Sequence, residues 1–149
     1  MSEKKTCQLL QLYLRESERV RLLDLDALPS LDSDEQASMH EWLSNKRNFS
    51  LEEIASQQWL KTCSAGFVTE LTFFPDGTLN EYTLFNRQQH SGWWELVDGV
   101  IEMVIHKGED LFRCAVIANR TVNIHSAIEY KNDELHSYLK LAQTRPVEN

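Results

Sequence analysis

The chain is poor in the residues that punctuate and staple a fold. Of its 149 residues only 5 are glycine, 3 proline and 3 cysteine. So few glycines make a phosphate-cradling loop improbable, and no such pattern occurs; nor does a nucleophile elbow, an HExxH or a CxxC. Cys7, Cys63 and Cys114 are far apart and odd in number, which suits reduced thiols in a cytosol better than a disulfide framework. No window approaches a membrane span. The largely apolar run from Cys7 to Leu14 breaks at Arg15 with no small-residue cleavage site after it, so it makes a poor signal peptide and a cytoplasmic location is expected. Positive charge is also scarce. There are 15 Lys+Arg against 23 Asp+Glu, a net charge of −8. An acidic chain repels a phosphate backbone, and the densest basic cluster is Lys46-Arg47, so no nucleic-acid partner is expected.

What remains is ordinary globular composition, 42% hydrophobic and 26% charged, at a length that one domain can fill with its own core. Residues 1–61 read as a helical region. Leu9, Tyr13, Val20 and Leu23 fall on one helical stripe. Leu28-Pro29 ends it, because a residue before proline avoids helical geometry. Ser33 with Gln36 and Ser50 with Glu53 read as capping boxes for two further helices, the second carrying Leu51, Ile54, Ala55 and Trp59. CQLLQLYL also fits a strand.

From Gly66 the hydrophobic period changes to two. Strands are expected near 66–74, 78–86, 92–97, 100–106, 111–118, 122–131 and 134–142, although the last also fits a helix. Pro75-Asp76-Gly77 is a turn, and Asp98-Gly99 and Asn132-Asp133 have the chemistry of two-residue hairpin loops. These turns fix a register. Leu96 pairs with Ile101, Trp94 with Met103, Met103 with Cys114, and Ile105 with Phe112. A short loop at 119–121 then pairs Val116 with Ile124, and the last turn pairs Ile124 with Leu141. The resulting apolar face runs from Trp94 through Val122, Ile124 and Ile128 to Leu139 and Leu141. The fold class expected is α+β: a helical region followed by an up-and-down antiparallel meander of about seven strands, barrel-like or strongly curved, in one domain spanning 1–149.

That meander, with Gly-x-Trp at Gly92-Trp93-Trp94, resembles the lipocalin-type (calycin) barrels over roughly residues 66–142. In that family the motif lies on the first strand, after a short helix; here two strands and the helices precede it. The resemblance implies a small apolar ligand held inside the barrel. On that reading Trp94, Met103, Phe112 and Cys114, all on the apolar face, are the candidate ligand-binding residues, with no cofactor and no metal.

Other constellations compete. Glu95 falls opposite Glu102, and paired carboxylates serve as general acid and base when their environments differ. Arg113, diagonal to Glu102, offers a counter-charge. His125, Glu129, His136 and Tyr138 share a face in this register, with Glu129 opposite His136, as a base with its orienter or part of a metal site would be. Each also reads as a solvated cross-strand pair. DLDALPSLDSDE has five carboxylates but lacks the glycine and ligand alternation of a calcium loop. Three functions therefore stand: a non-enzymatic binding protein, a protein-interaction module, and an enzyme using a carboxylate or His/Glu pair. Finally, Leu9, Leu10, Leu12, Tyr13 and Leu14 span most of a helix's circumference, and such a surface invites a homodimer.

Overall fold

A computed structural model describes residues 2–17, 22–84 and 87–145. Among them are three α-helices and nine strands: α1 Glu3–Glu16, α2 Ser33–Leu43, α3 Leu51–Ile54, and β1 Lys46–Arg47, β2 Gln58–Cys63, β3 Val68–Phe73, β4 Thr78–Thr83, β5 Gln89–Val97, β6 Val100–Lys107, β7 Asp110–Asn119, β8 Ile124–Lys131 and β9 Glu134–Gln143. Strands β2 to β9 run up and down, every neighbouring pair antiparallel. β2 pairs with β9, so the sheet closes into an eight-stranded barrel. Closure leaves the barrel itself without an open edge. No helix among the described residues is long and apolar enough to cross a membrane.

The turns follow their residues. Asp98 and Gly99 take φ of 51° and 78°, and Asn132 and Asp133 take 50° and 65°. Both loops thus have the positive-φ pair that matches strand twist. β5, β6 and β7 hold the expected register, Trp94 against Met103 and Met103 against Cys114. Gly92 is required for a different reason. A Cβ there would lie 1.8 Å from the Val104 carbonyl oxygen, so only glycine lets β5 and β6 approach this closely.

Several expectations are corrected. The helical region does not reach residue 61. The Ser50–Glu53 box exists, since Glu53 accepts the Ser50 N–H at 2.7 Å, but it starts a helix of only four residues. Trp59 lies in β2, the strand that closes the barrel. α2 is capped one residue earlier than expected, by Asp32 and Glu35. Leu23 lies beyond α1, which ends at Glu16; Val20, and residues 85 and 86 of the expected second strand, lie outside the described residues.

The register between β7 and β8 also differs. Val116 pairs with Ala127, not Ile124. β1 explains it. Lys46 and Arg47 pair with Asn119 and Ala118, and Asn45 accepts the Arg120 N–H at 2.7 Å. The end of β7 is therefore committed to β1, and the chain needs a longer connection before β8. An odd shift exchanges faces. His125, Ala127 and Glu129 point inward. Ile128 is buried on the outer face, and Val122 and Ile124 are about half exposed, at 51% and 48%. A bulge at Glu129/Tyr130 then pairs Ile124 with Ala142 rather than Leu141.

α1 lies on the outside of the barrel. Leu9 and Leu12 pack with Val100, Ile117, Ile128 and Tyr130 of the outer face, and with Met39, Trp42 and Leu43 of α2. The apolar surface that suggested self-association therefore finds much of its cover within the chain: Leu9, Leu12, Tyr13 and Leu14 are all buried. Glu16 pins the end of the helix. Its carboxylate accepts from Trp42 Nε1 at 3.0 Å, Lys46 Nζ at 3.1 Å, Ser126 Oγ at 2.7 Å and the Tyr138 hydroxyl. Burial alone would raise its pKa; Tyr138, Lys46 and Ser126 outweigh burial and hold it at about 2.

Candidate functional site

The barrel has two faces to consider, and alternation along each strand assigns every side chain to one of them. Trp94, Met103 and Cys114 form a row across β5, β6 and β7 on the inner face, continued by Glu129 opposite Cys114. Phe112 shares that face nearer one mouth, its ring edge-on to His136 at 5.6 Å and beneath Lys107 Nζ at 4.8 Å. All four expected ligand residues thus point inward.

One end of the interior is filled by aromatic rings. Phe49–Trp59, Trp59–Phe73 and Phe73–Trp94 meet edge to face, with centroids 5.8, 5.5 and 5.7 Å apart. Trp59 Nε1 donates to the Ile54 carbonyl and Trp94 Nε1 to that of Phe74, so burial leaves neither indole unpaired. His125 closes this end. Its Nδ1 accepts the Asn119 N–H at 2.9 Å, and Nε2 therefore carries the proton it shares with Gln143 Oε1 at 2.6 Å. Gln143 passes the chain to Glu53, which Arg47 grips at 2.9 and 2.8 Å. Burial holds the His125 pKa down at about 4, so the imidazole is neutral and structural.

The other end holds charge. Glu81 is fully buried. It pairs with Lys61 at 2.5 Å and Lys107 at 2.8 Å, and accepts the Thr69 hydroxyl at 2.8 Å. Lys61 also lies 3.8 Å from Glu129. Burial would raise the Glu81 pKa, but the two lysines outweigh it and keep it at about 2. Burial likewise opposes charge on Lys61, and Glu81 and Glu129 overcome it, raising its pKa. Two cations and two anions neutralise one another here. Burial, reinforced by Glu129, pushes the Cys114 thiol far above its ordinary range, so it is no thiolate nucleophile. His136 stands 3.9 Å from Glu129, but Tyr138 faces outward to Glu16, so the four-residue His/Glu grouping expected on one face does not form. Among the described residues no three His, Cys, Asp or Glu side chains are grouped as metal ligands would be.

The outer face of β5 to β8 carries a cleft of about 500 Å³, walled on one side by α1. Its floor is apolar: Val104, Ala115, Ile117 and Ile128. Lys4, Gln8 and Gln11 reach in from the helix, and Trp93 stands at the sheet side, 58% exposed. Tyr130 fixes the far end. Its hydroxyl accepts from Gln11 at 2.9 Å and donates to Asp24 at 3.1 Å. Glu95 and Glu102 lie directly opposite each other on this wall. Lys4, not Arg113, answers them: its Nζ is 2.5 Å from Glu102 Oε1, whereas Arg113 bonds Asp133 at 3.1 Å and covers the Tyr130 ring. Trp94, Met103 and Cys114 also border the cleft. Their side chains belong to the interior, so to this side they present strand backbone.

By strand alternation Trp93, Val100 and Val104 share this face with Glu95 and Glu102, so it is only partly polar. That excess of apolar residues on a face bearing charges was the signal for a covering helix. Compared with known proteins, the chain matches no family model and no curated protein, and no solved structure matches it.

Proposed function

We propose that the protein is a non-enzymatic binding protein that holds a small, largely apolar molecule in the cleft between α1 and the outer face of β5–β8. The observation that carries this reading is the cleft itself. A volume of about 500 Å³ is ordinary for a small-molecule site, as are an apolar floor and a few converging polar groups. The lipocalin-like reading of the sequence puts the ligand inside the barrel instead. Against that location stand the rings of Phe49, Trp59, Phe73 and Trp94, which pack against one another where a ligand's body would go. An eight-stranded barrel can be filled by its own side chains or hold one small ligand; here the rings take one end and the Lys61–Glu81–Lys107 cluster the other.

The test is a titration with a neutral fluorescent probe, N-phenyl-1-naphthylamine. Saturable one-to-one binding is expected, weakened strongly by Trp93→Ala and little by Trp94→Phe. No saturable binding by this probe or by other neutral apolar molecules, with the fold intact, would overturn the reading.

A further inference from the structure

The cleft's chemistry is more specific than its volume. Glu95 and Glu102 face each other across β5 and β6, an arrangement that like charges disfavour unless a cation sits between or beside them. Lys4 supplies one cation, to one oxygen of Glu102, and Gln8 Nε2 adds a hydrogen bond of 3.3 Å to the same oxygen. Among the described residues Glu95 has no ion-pair partner. Lys4 is a poor permanent occupant. Its side chain is 64% exposed, and an exposed lysine pair is weak because two flexible groups must be ordered in water. Arg113, the other cation of the cleft, is held by Asp133 and stacked on Tyr130. Two residues before Glu95, on the same face of β5, stands Trp93, whose indole face attracts cations.

We infer that the cleft selects organic cations: an ammonium group seated between Glu95 and Glu102, displacing Lys4, with an apolar body over Val104, Ala115 and Ile128. The Lys4 ammonium on Glu102 occupies, in the empty cleft, the place the ligand's own ammonium takes. This inference rests on the cleft being the binding site and adds the charge of its ligand.

The experiment compares three molecules with one ring system, 1-naphthylmethylamine, 1-naphthalenemethanol and 1-naphthoate, each displacing N-phenyl-1-naphthylamine at pH 7. The ammonium is expected to bind about three- to tenfold more tightly than the alcohol, because Glu102 is partly buried while Glu95 is exposed to solvent. The anion is expected to bind worst. Added salt should weaken the ammonium alone. The double variant Glu95→Gln/Glu102→Gln should bring the ammonium down to the alcohol's affinity and leave the alcohol unchanged. Lys4→Met, which removes the competing cation, should tighten ammonium binding by up to about fivefold. If alcohol and ammonium bind alike, or the double variant changes neither, the cation preference is wrong while the cleft remains a binding site. If none of the three displaces the probe, or the probe itself does not bind, both readings fall.

Discussion

Trp93 and Trp94 are neighbours in the chain and sit in different environments. Trp94 is 7% exposed, its ring against Phe73 and its indole N–H on a backbone carbonyl; Trp93 is 58% exposed at the edge of a cleft. The same division runs through β5, β6 and β7. Inward lie Trp94, Met103 and Cys114, packed and inert. Outward lie Trp93, Glu95, Glu102 and Val104, a mixture of apolar and charged groups that packing does not satisfy. The inner face, together with Val100, Ile117 and Ile128 packed outside it against α1, forms the core, whereas Trp93, Glu95 and Glu102 are not part of it.

Substitution should separate the two faces sharply. Trp94→Ala removes a buried ring and should cost about 3–5 kcal/mol, whereas Trp93→Ala should stay within about 0.5 kcal/mol. Urea unfolding of both variants checks this. Equal costs would mean that the division does not hold. Charges should behave in the same way. Lys61→Ala leaves Glu81 buried with half its counter-charge, and should cost about 3–5 kcal/mol. Lys4→Ala breaks an exposed pair and should cost less than about 1 kcal/mol in the same assay.

Acid probes the inner face at its aromatic end. His125 has a folded pKa of about 4, below its ordinary 6.5. Protonation therefore favours the unfolded chain. Stability is intact above pH 6.5 and declines as pH falls toward 4, by about 3 kcal/mol at pH 4 from this group alone. Glu16, Glu53 and Glu81, each held at about 2, add a second loss that begins only below about 4.5. His125→Gln should flatten the stability profile between pH 6.5 and 4.5 and leave the steeper acid limb. A profile unchanged by the substitution would show that His125 is not the group responsible. Gly92→Ala should cost about 3 kcal/mol or more in the same urea assay, because the methyl group meets β6 backbone at Val104 and only a parting of the two strands admits it.

Much of the inner face was legible in the sequence, because short turns with positive-φ residues tie neighbours together. Asp98-Gly99 and the short polar connection Lys107-Gly108-Glu109-Asp110, which joins β6 to β7, set three strands with no further information. Legibility failed where pairing was distant. β2 finds β9 some eighty residues later, and its local signal was misleading, since the Ser50–Glu53 box and the spacing of Leu51, Ile54 and Ala55 extend by chance to Trp59. β8 was turned over because two residues of β1 hold the end of β7. The cleft was hidden for a related reason. Its floor could be read as an oddly apolar outer face, but its wall is α1, whose placement depends on Glu16 reaching Ser126 and Tyr138 far along the chain.

The central claim is that a ligand meets the outside of these strands. Methyl-resolved NMR tests it most directly, with N-phenyl-1-naphthylamine titrated into protein labelled at isoleucine, leucine, valine and alanine methyls. The account predicts progressive shifts at Val104, Ala115, Ile117 and Ile128, with Leu71, Leu79, Leu139 and Leu141 unmoved. Shifts concentrated at those four leucines, with Val104 and Ala115 silent, would contradict it and place the ligand inside the barrel.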